Sequence, residues 1–263
     1  MLLEVKDLNI SYGDKLTVTG ANLQLDKGEI MSIVGESGSG KTTVIRAIMG
    51  CLPGQGHVSA GSITFEGRDL LKNTPEEWRQ MSGRDMSMIF QDSGNMINPI
   101  RRIGDQFVDY IQAHEPGTGK AQAEEMAKDM LNKVRLPNPE TIMHSYPFEL
   151  SGGMRQRVGI AMAMVFRPKL LLADEPTSAL DVTTQAQIIR QIVDILNEFG
   201  VAVIIVTHNL GVASYMSNKL MVMKNGHVVE SGGRELIKNP QDAYTKELLA
   251  AVPVVGDAKY YER

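Results

Sequence analysis

Short continuous apolar runs and longer stretches of helical spacing take turns along the chain. Residues 30–34, 170–173 and 201–206 are runs of strand length without polar alternation. Such runs predict parallel strands covered on both faces. Residues 3–10 and 62–65 also carry strand signals. A helix is predicted over 41–49, with Ile45, Ile48 and Met49 on one face and Gly50 as its stop. Ile188, Ile189, Ile192, Val193, Leu196 and Phe199 line a second amphipathic helix. Residues 220–223 and 227–230 flank Lys224-Asn225-Gly226, which predicts a hairpin with an Asn-Gly turn.

The middle reads differently. Between about 92 and 160 the β-branched runs disappear, and Ala123, Met126, Ala127, Met130, Leu131 and Val134 fall at helical spacing. Turn clusters break this stretch at Glu115-Pro116-Gly117 and at Pro137-Asn138-Pro139. The pattern predicts a doubly wound α/β core interrupted by a helical insertion. The expected division is an α/β core over 1–91 and 161–235, a helical subdomain over 92–160, and a helical tail over 236–263.

Composition narrows the class. The chain has 263 residues, 43% of them hydrophobic, and a net charge of -4. That charge argues against a protein whose main task is to grip nucleic acid. The one cysteine, Cys51, excludes an intramolecular disulfide and fits a reducing compartment; it is expected to be a small buried residue after the first helix. No signal peptide is expected at the N-terminus, and no apolar run approaches the roughly 18 residues that span a bilayer. Any action at a membrane must therefore go through a docked partner. The methionines near 154–164 are read as core filler.

The chemistry is concentrated in a few places. Gly35-Glu36-Ser37-Gly38-Ser39-Gly40-Lys41-Thr42 fits the phosphate loop G-x-x-x-x-G-K-[ST], between a predicted strand and a predicted helix. Its glycines let backbone N–H groups turn inward on phosphate oxygens, and the following helix adds its positive end. Lys41 reaches the β- and γ-phosphates; the Thr42 hydroxyl can ligate Mg²⁺, and Thr43 follows it in the first turn. Residues 170–173 lead into Asp174 and Glu175. Asp174 is expected to help hold Mg²⁺, and Glu175 to polarise the water that attacks the γ-phosphate. Neighbours on one strand point to opposite sides, which separates the two roles unless the strand has ended.

With these residues in view, the chain resembles the ABC-type ATPases. Leu150-Ser151-Gly152-Gly153-Met154-Arg155-Gln156-Arg157 is similar to their signature motif, and 174–181 to their Walker B motif running into the D-loop. Gln91 resembles the Q-loop glutamine, His208 the switch histidine, and Tyr12 the aromatic that stacks on adenine. Alone, Tyr12 fits equally a half-buried strand aromatic, and His208 a capping or core histidine. The resemblance implies a phosphate-loop ATPase core with a parallel sheet, an antiparallel β subdomain and an inserted helical subdomain. It also implies ATP and Mg²⁺ as cofactors, Gln91 as a further metal ligand, and Glu175, His208 and Gln91 as catalytic residues. Ser151 and Gly153 would contact the γ-phosphate of ATP held by a second ATPase subunit.

Residues 145–157, 180–187 and 239–249 are similar to the peptide/nickel importer group, with Met154 resembling the first of two paired ATPases. That group implies a homo- or heterodimer of ATPases, two integral membrane permease subunits and an extracellular substrate-binding protein. It implies a peripheral place on the cytoplasmic face of the membrane and cargo of oligopeptides or dipeptides, with nickel-type cargo second. The group's proline-containing stretch after Gln91 is reduced here to Asn98-Pro99. A second family reading is the ATPase associated with carbon–phosphorus lyase.

Overall fold

A computed structural model describes residues 1–91, 96–176, 193–194, 198–251, and the short strands Val254–Val255 and Ala258–Lys259. The expectations for the D-loop at 177–181, for Ser93, Gly94 and Asn95, and for most of the helix over 188–199 lie outside these residues. The chain divides into two compact units, one of residues 1–79 and 202–263, the other of 80–201.

The first unit contains strands β1 (Leu3–Tyr12), β2 (Lys15–Leu25), β3 (Ile30–Val34), β4 (Gly56–Phe65), β5 (Arg68–Asp69), β8 (Ala202–Thr207), β9 (Lys219–Lys224) and β10 (His227–Gly233). They run in the order β5-β4-β1-β2-β10-β9-β3-β8. One half is antiparallel: β1 pairs with β2 and β4. The other half is built on β3, parallel to both β8 and β9. Burial separates the halves as the apolar pattern requires. Every residue of β3 is buried, whereas β2 from Gly20 onward alternates exposed and buried positions. Helix α1 (Lys41–Ile48) packs Val44, Ile45 and Ile48 into this core.

Helix α1 ends in a Schellman motif. Gly50 has φ +67, its N–H bonds the Ala47 carbonyl, and the Cys51 N–H bonds that of Arg46. This corrects one expectation: the Cys51 side chain is exposed, because the left-handed turn at Gly50 sends the chain outward while the Trp78 ring lies against Gly50.

The second unit is mainly helical. Strands β6 (Met86–Ile89) and β7 (Leu170–Asp174) pair in parallel. Around them lie α3 (Ile103–His114), α4 (Lys120–Lys133), α5 (Pro139–His144) and α6 (Gly152–Met164), after the short α2 (Pro75–Met81) at the junction. The predicted helical positions are largely the buried ones: Ala123, Ala127, Met130, Leu131 and Val134 are buried, Met126 half so. The turn clusters fall at helix ends, with Pro139 in the first turn of α5 and Asn138 left-handed before it. On α3, Ile103, Phe107 and Ile111 form one buried stripe.

Phe107 has no exposed surface. Phe107→Ala removes that ring and leaves a cavity, so it is expected to destabilise the protein by about 3–5 kcal/mol. A lowered denaturant midpoint with an unchanged slope is the expected result; an unchanged midpoint would show that the helical unit is not packed on this side chain.

Candidate nucleotide-binding site

The phosphate loop leaves β3 after Val34 and enters α1 at Lys41. Its path is set by close backbone approach. A Cβ at Gly35 would stand 2.1 Å from the Met223 carbonyl oxygen, and one at Gly40, where φ is +101, 3.0 Å from Val18 Cγ2. The Gly226 N–H donates to the Ser39 carbonyl at 3.0 Å. Gly38 faces open space, with φ +80 and no atom within 4 Å of a notional Cβ. Among the described residues, the N–H groups of Ser37, Gly38 and Gly40 meet no acceptor in the chain.

Lys41 is 4% exposed. Its ammonium donates to the carbonyls of Gly35 at 2.8 Å and Glu36 at 2.6 Å, and reaches Ser39 Oγ at 3.4 Å. Thr42 and Thr43 are half-buried in the first turn. Helix α1 has no side-chain cap and no acidic residue in its first turn, so no carboxylate of that turn offsets its positive end. Inward amides, a buried ammonium and an open helix terminus together form a cradle that fits a phosphate chain.

His208 and Tyr12 belong to the same unit. Strands β3 and β8 are parallel with Val34 opposite Thr207. Gly35 and the exposed His208 therefore leave neighbouring strands at the same carboxyl edge, where sites form in such sheets. Tyr12 ends β1 and pairs with Lys15 across the two-residue turn Gly13–Asp14. Its ring is half-buried against Gly56, where a Cβ would lie 2.8 Å from Tyr12 Cε1.

The second unit holds the other candidates. Asp174 is the last residue of β7 and 1% exposed. Glu175 lies beyond the strand, half-buried, with φ +44. The two carboxylates are thus separated by a left-handed turn of the backbone rather than by the pleat: the strand has ended between them. Ile89 pairs with Ala173, so Gln91 and Glu175 each stand two residues past paired positions. Gln91 Nε2 accordingly comes within 3.5 Å of Glu175 Oε2, a weak hydrogen bond.

Ser151 caps α6, its Oγ accepting the Met154 N–H at 3.3 Å. Ser151 is exposed, Gly153 half-buried, and the first turn of α6 has no acidic residue. Gln156 escaped the sequence reading. It is 4% exposed and its amide donates to the Pro176 carbonyl, tying the helix to the turn after Glu175. The available signal was an uncharged amide between Arg155 and Arg157.

With this geometry in place, comparison with known proteins defines the class. Residues 18–178 match the ABC transporter family. The dipeptide transport ATP-binding protein DppD of Haemophilus influenzae is 42% identical over 98% of this chain and 79% of its own. The oligopeptide transport ATP-binding protein OppD of Salmonella typhimurium is 44% identical over 96% of this chain and 76% of its own. Among solved structures, cbiO1 of Clostridium perfringens, described as part of the ABC transporter complex cbiONQ, matches with TM-score 0.78 at 25% identity over 95% of both chains. The ATP-binding cassette MJ0796, in a dimeric post-hydrolysis state with ADP and Pi, matches with TM-score 0.76 at 25% identity over 89% of this chain and 99% of its own. The chain belongs to the ABC transporter family. It is the ATP-hydrolysing subunit of that machinery, and the carbon–phosphorus lyase reading is set aside because these close relatives are transport proteins.

Lys41→Ala removes the cation of the cradle. It is expected to weaken ATP binding by roughly 3 kcal/mol, about a hundredfold. A fluorescent-ATP titration measures this; wild-type affinity would show that residues 35–42 do not hold the phosphates.

Proposed function

We propose that this ATPase powers uptake of oligopeptides or dipeptides. It works on the cytoplasmic face of the cell membrane as one of two ATPase subunits, beneath two integral membrane permease subunits that an extracellular binding protein supplies. The observation that carries the cargo class is the 42–44% identity, along nearly the whole chain, to dipeptide and oligopeptide transport ATP-binding proteins. Among the described residues no helix is long and apolar enough to cross a membrane, so the membrane is reached through partners.

The roles divide between the units. Tyr12 stacks on adenine; Gly35, Ser37, Gly38, Ser39, Gly40, Lys41, Thr42 and Thr43 hold the phosphates. Mg²⁺ is held by the Thr42 hydroxyl, Asp174 and Gln91, and when bound it neutralises charge on the phosphate oxygens. Among the described residues no three His, Cys, Asp or Glu side chains form a metal cage. One buried carboxylate with hydroxyl and amide partners suits Mg²⁺, which keeps waters and phosphate oxygens in its shell. Glu175 takes the proton of the attacking water, helped by Gln91 and His208. Ser151 and Gly153 present a hydroxyl and an acid-free helix terminus to the γ-phosphate of the partner ATPase's nucleotide.

Residues 1–91 and 161–235 serve as the ATP-binding core, 92–160 as the subdomain that meets the permeases, and 236–263 as a tail. Exposed Met96 and Ile100, shortly after Gln91, support the permease-facing role.

Two measurements test the proposal. Purified with its permeases in proteoliposomes and given its binding protein, the complex is expected to accumulate a labelled dipeptide or oligopeptide only with ATP inside. Uptake of nickel complexes without peptide uptake would overturn the cargo class.

Glu175→Gln keeps the shape of the side chain but removes the base. It is expected to bind MgATP normally, to hydrolyse it roughly 10²–10⁴ times more slowly, and to elute as an ATP-dependent dimer. Hydrolysis at the wild-type rate would remove Glu175 from the chemistry.

A further inference from the structure

Behind the phosphate loop, one hydrogen bond joins it to the far end of the chain. The Glu36 N–H donates to the Tyr244 hydroxyl at 2.9 Å. That N–H and the Gly35 carbonyl belong to one planar peptide unit, and in the trans form they point in opposite directions. The Gly35 carbonyl accepts the Lys41 ammonium at 2.8 Å. Tyr244 and Lys41 therefore grip the same peptide from its two sides. A bond at the N–H also polarises the carbonyl toward a better acceptor.

Tyr244 is itself firmly held. It lies in helix α7 (Ala243–Ala250), whose cap Asp242 accepts the N–H groups of Tyr244 at 2.8 Å and Thr245 at 3.3 Å. The approach to that helix is fixed by Glu230, which accepts the N–H groups of Gln241 at 2.8 Å and Asp242 at 3.2 Å. The ring is 4% exposed, in a cluster with Val34, Leu236 and Leu249, and the Lys224 ammonium stands 4.2 Å from its centroid. Lys224 is two residues before Gly226, whose N–H holds the Ser39 carbonyl. The loop is thus clamped from behind at Glu36 and at Ser39, both times by elements from the C-terminal part of the chain. Burial raises the pKa of the Tyr244 hydroxyl, so it stays a neutral phenol.

We propose that Tyr244 is a positioning residue for nucleotide binding: its hydroxyl locks the Gly35–Glu36 peptide and, through it, Lys41 and the cradle amides. Without the hydroxyl, binding must itself order that peptide, so affinity falls while the fold is kept. The inference rests on the reading of residues 35–42 as the phosphate loop.

Tyr244→Phe in the full chain, with MgATP as the probe, tests it. The dissociation constant is expected to rise about threefold to tenfold, the worth of one intramolecular hydrogen bond. Hydrogen exchange at the Glu36 amide of the nucleotide-free protein is expected to quicken, while its melting temperature stays near wild type. Leu249→Ala loosens the same helix without touching the hydroxyl, and is expected to lower the melting temperature but not the affinity. An unchanged dissociation constant for Tyr244→Phe overturns the proposal. So does an equal loss of affinity in Leu249→Ala, which would make the effect one of general stability. Lys41→Ala in the same titration separates the two failures: if it too binds normally, the phosphate-loop reading falls; if it alone loses binding, only the role of Tyr244 does.

Discussion

The Met223 carbonyl lies directly against the backbone of Gly35, closer than any side chain at that position could tolerate. The rest of the phosphate loop follows from this contact. With Gly35 laid on β9, the loop runs along the β9–β10 hairpin, and the Gly226 N–H takes the Ser39 carbonyl. The same turn presses on β2, since a Cβ at Gly226 would stand 2.2 Å from the Thr17 carbonyl oxygen. Backbone on backbone leaves little freedom, and it leaves the amides of Ser37, Gly38 and Gly40 without an acceptor among the described residues of the chain. Residues 35–40 are ordered largely during folding, so their conformational entropy, about 1–2 kcal/mol per residue, opposes nucleotide binding only in part.

Charge is arranged with similar economy. Helices α1 and α6 both begin without an acidic residue in the first turn, although a carboxylate there would stabilise either helix by about 0.3–1 kcal/mol. Each helix forgoes that gain, and neither first turn carries a carboxylate that would repel an anion. Their caps differ with their surroundings. Gly40 caps α1 with backbone alone, since Val18 Cγ2 and the Gly226 backbone crowd it, whereas exposed Ser151 can cap α6 with a hydroxyl.

Much of this was legible in the residues themselves. The apolar runs at 30–34, 170–173 and 201–206 became buried strands because continuous hydrophobicity admits few other solutions in a strand-sized segment. Asn225 and Gly226, with φ of +50 and +82, formed the expected hairpin turn because left-handed geometry suits that pair. The phosphate loop was legible because glycine spacing encodes backbone shape. What stayed hidden depends on contacts distant in sequence. Strand β2 carries four exposed polar or glycine positions, Gly20 among them, so its pattern is faint until β1 pairs with it. Tyr244 looks like any helical aromatic until its hydroxyl meets an amide more than two hundred residues earlier. Gln156 was hidden in plain view within a motif read for its serine and glycines.

Glu175 holds a backbone conformation that a side chain beyond glycine or asparagine adopts at a cost of about 1–2 kcal/mol. Selection for heat resistance alone would therefore drift this position toward glycine, and under the role proposed for Glu175 selection for ATP turnover would pull it back to glutamate. The residue marks a place where durability and work are traded against each other along one torsion angle.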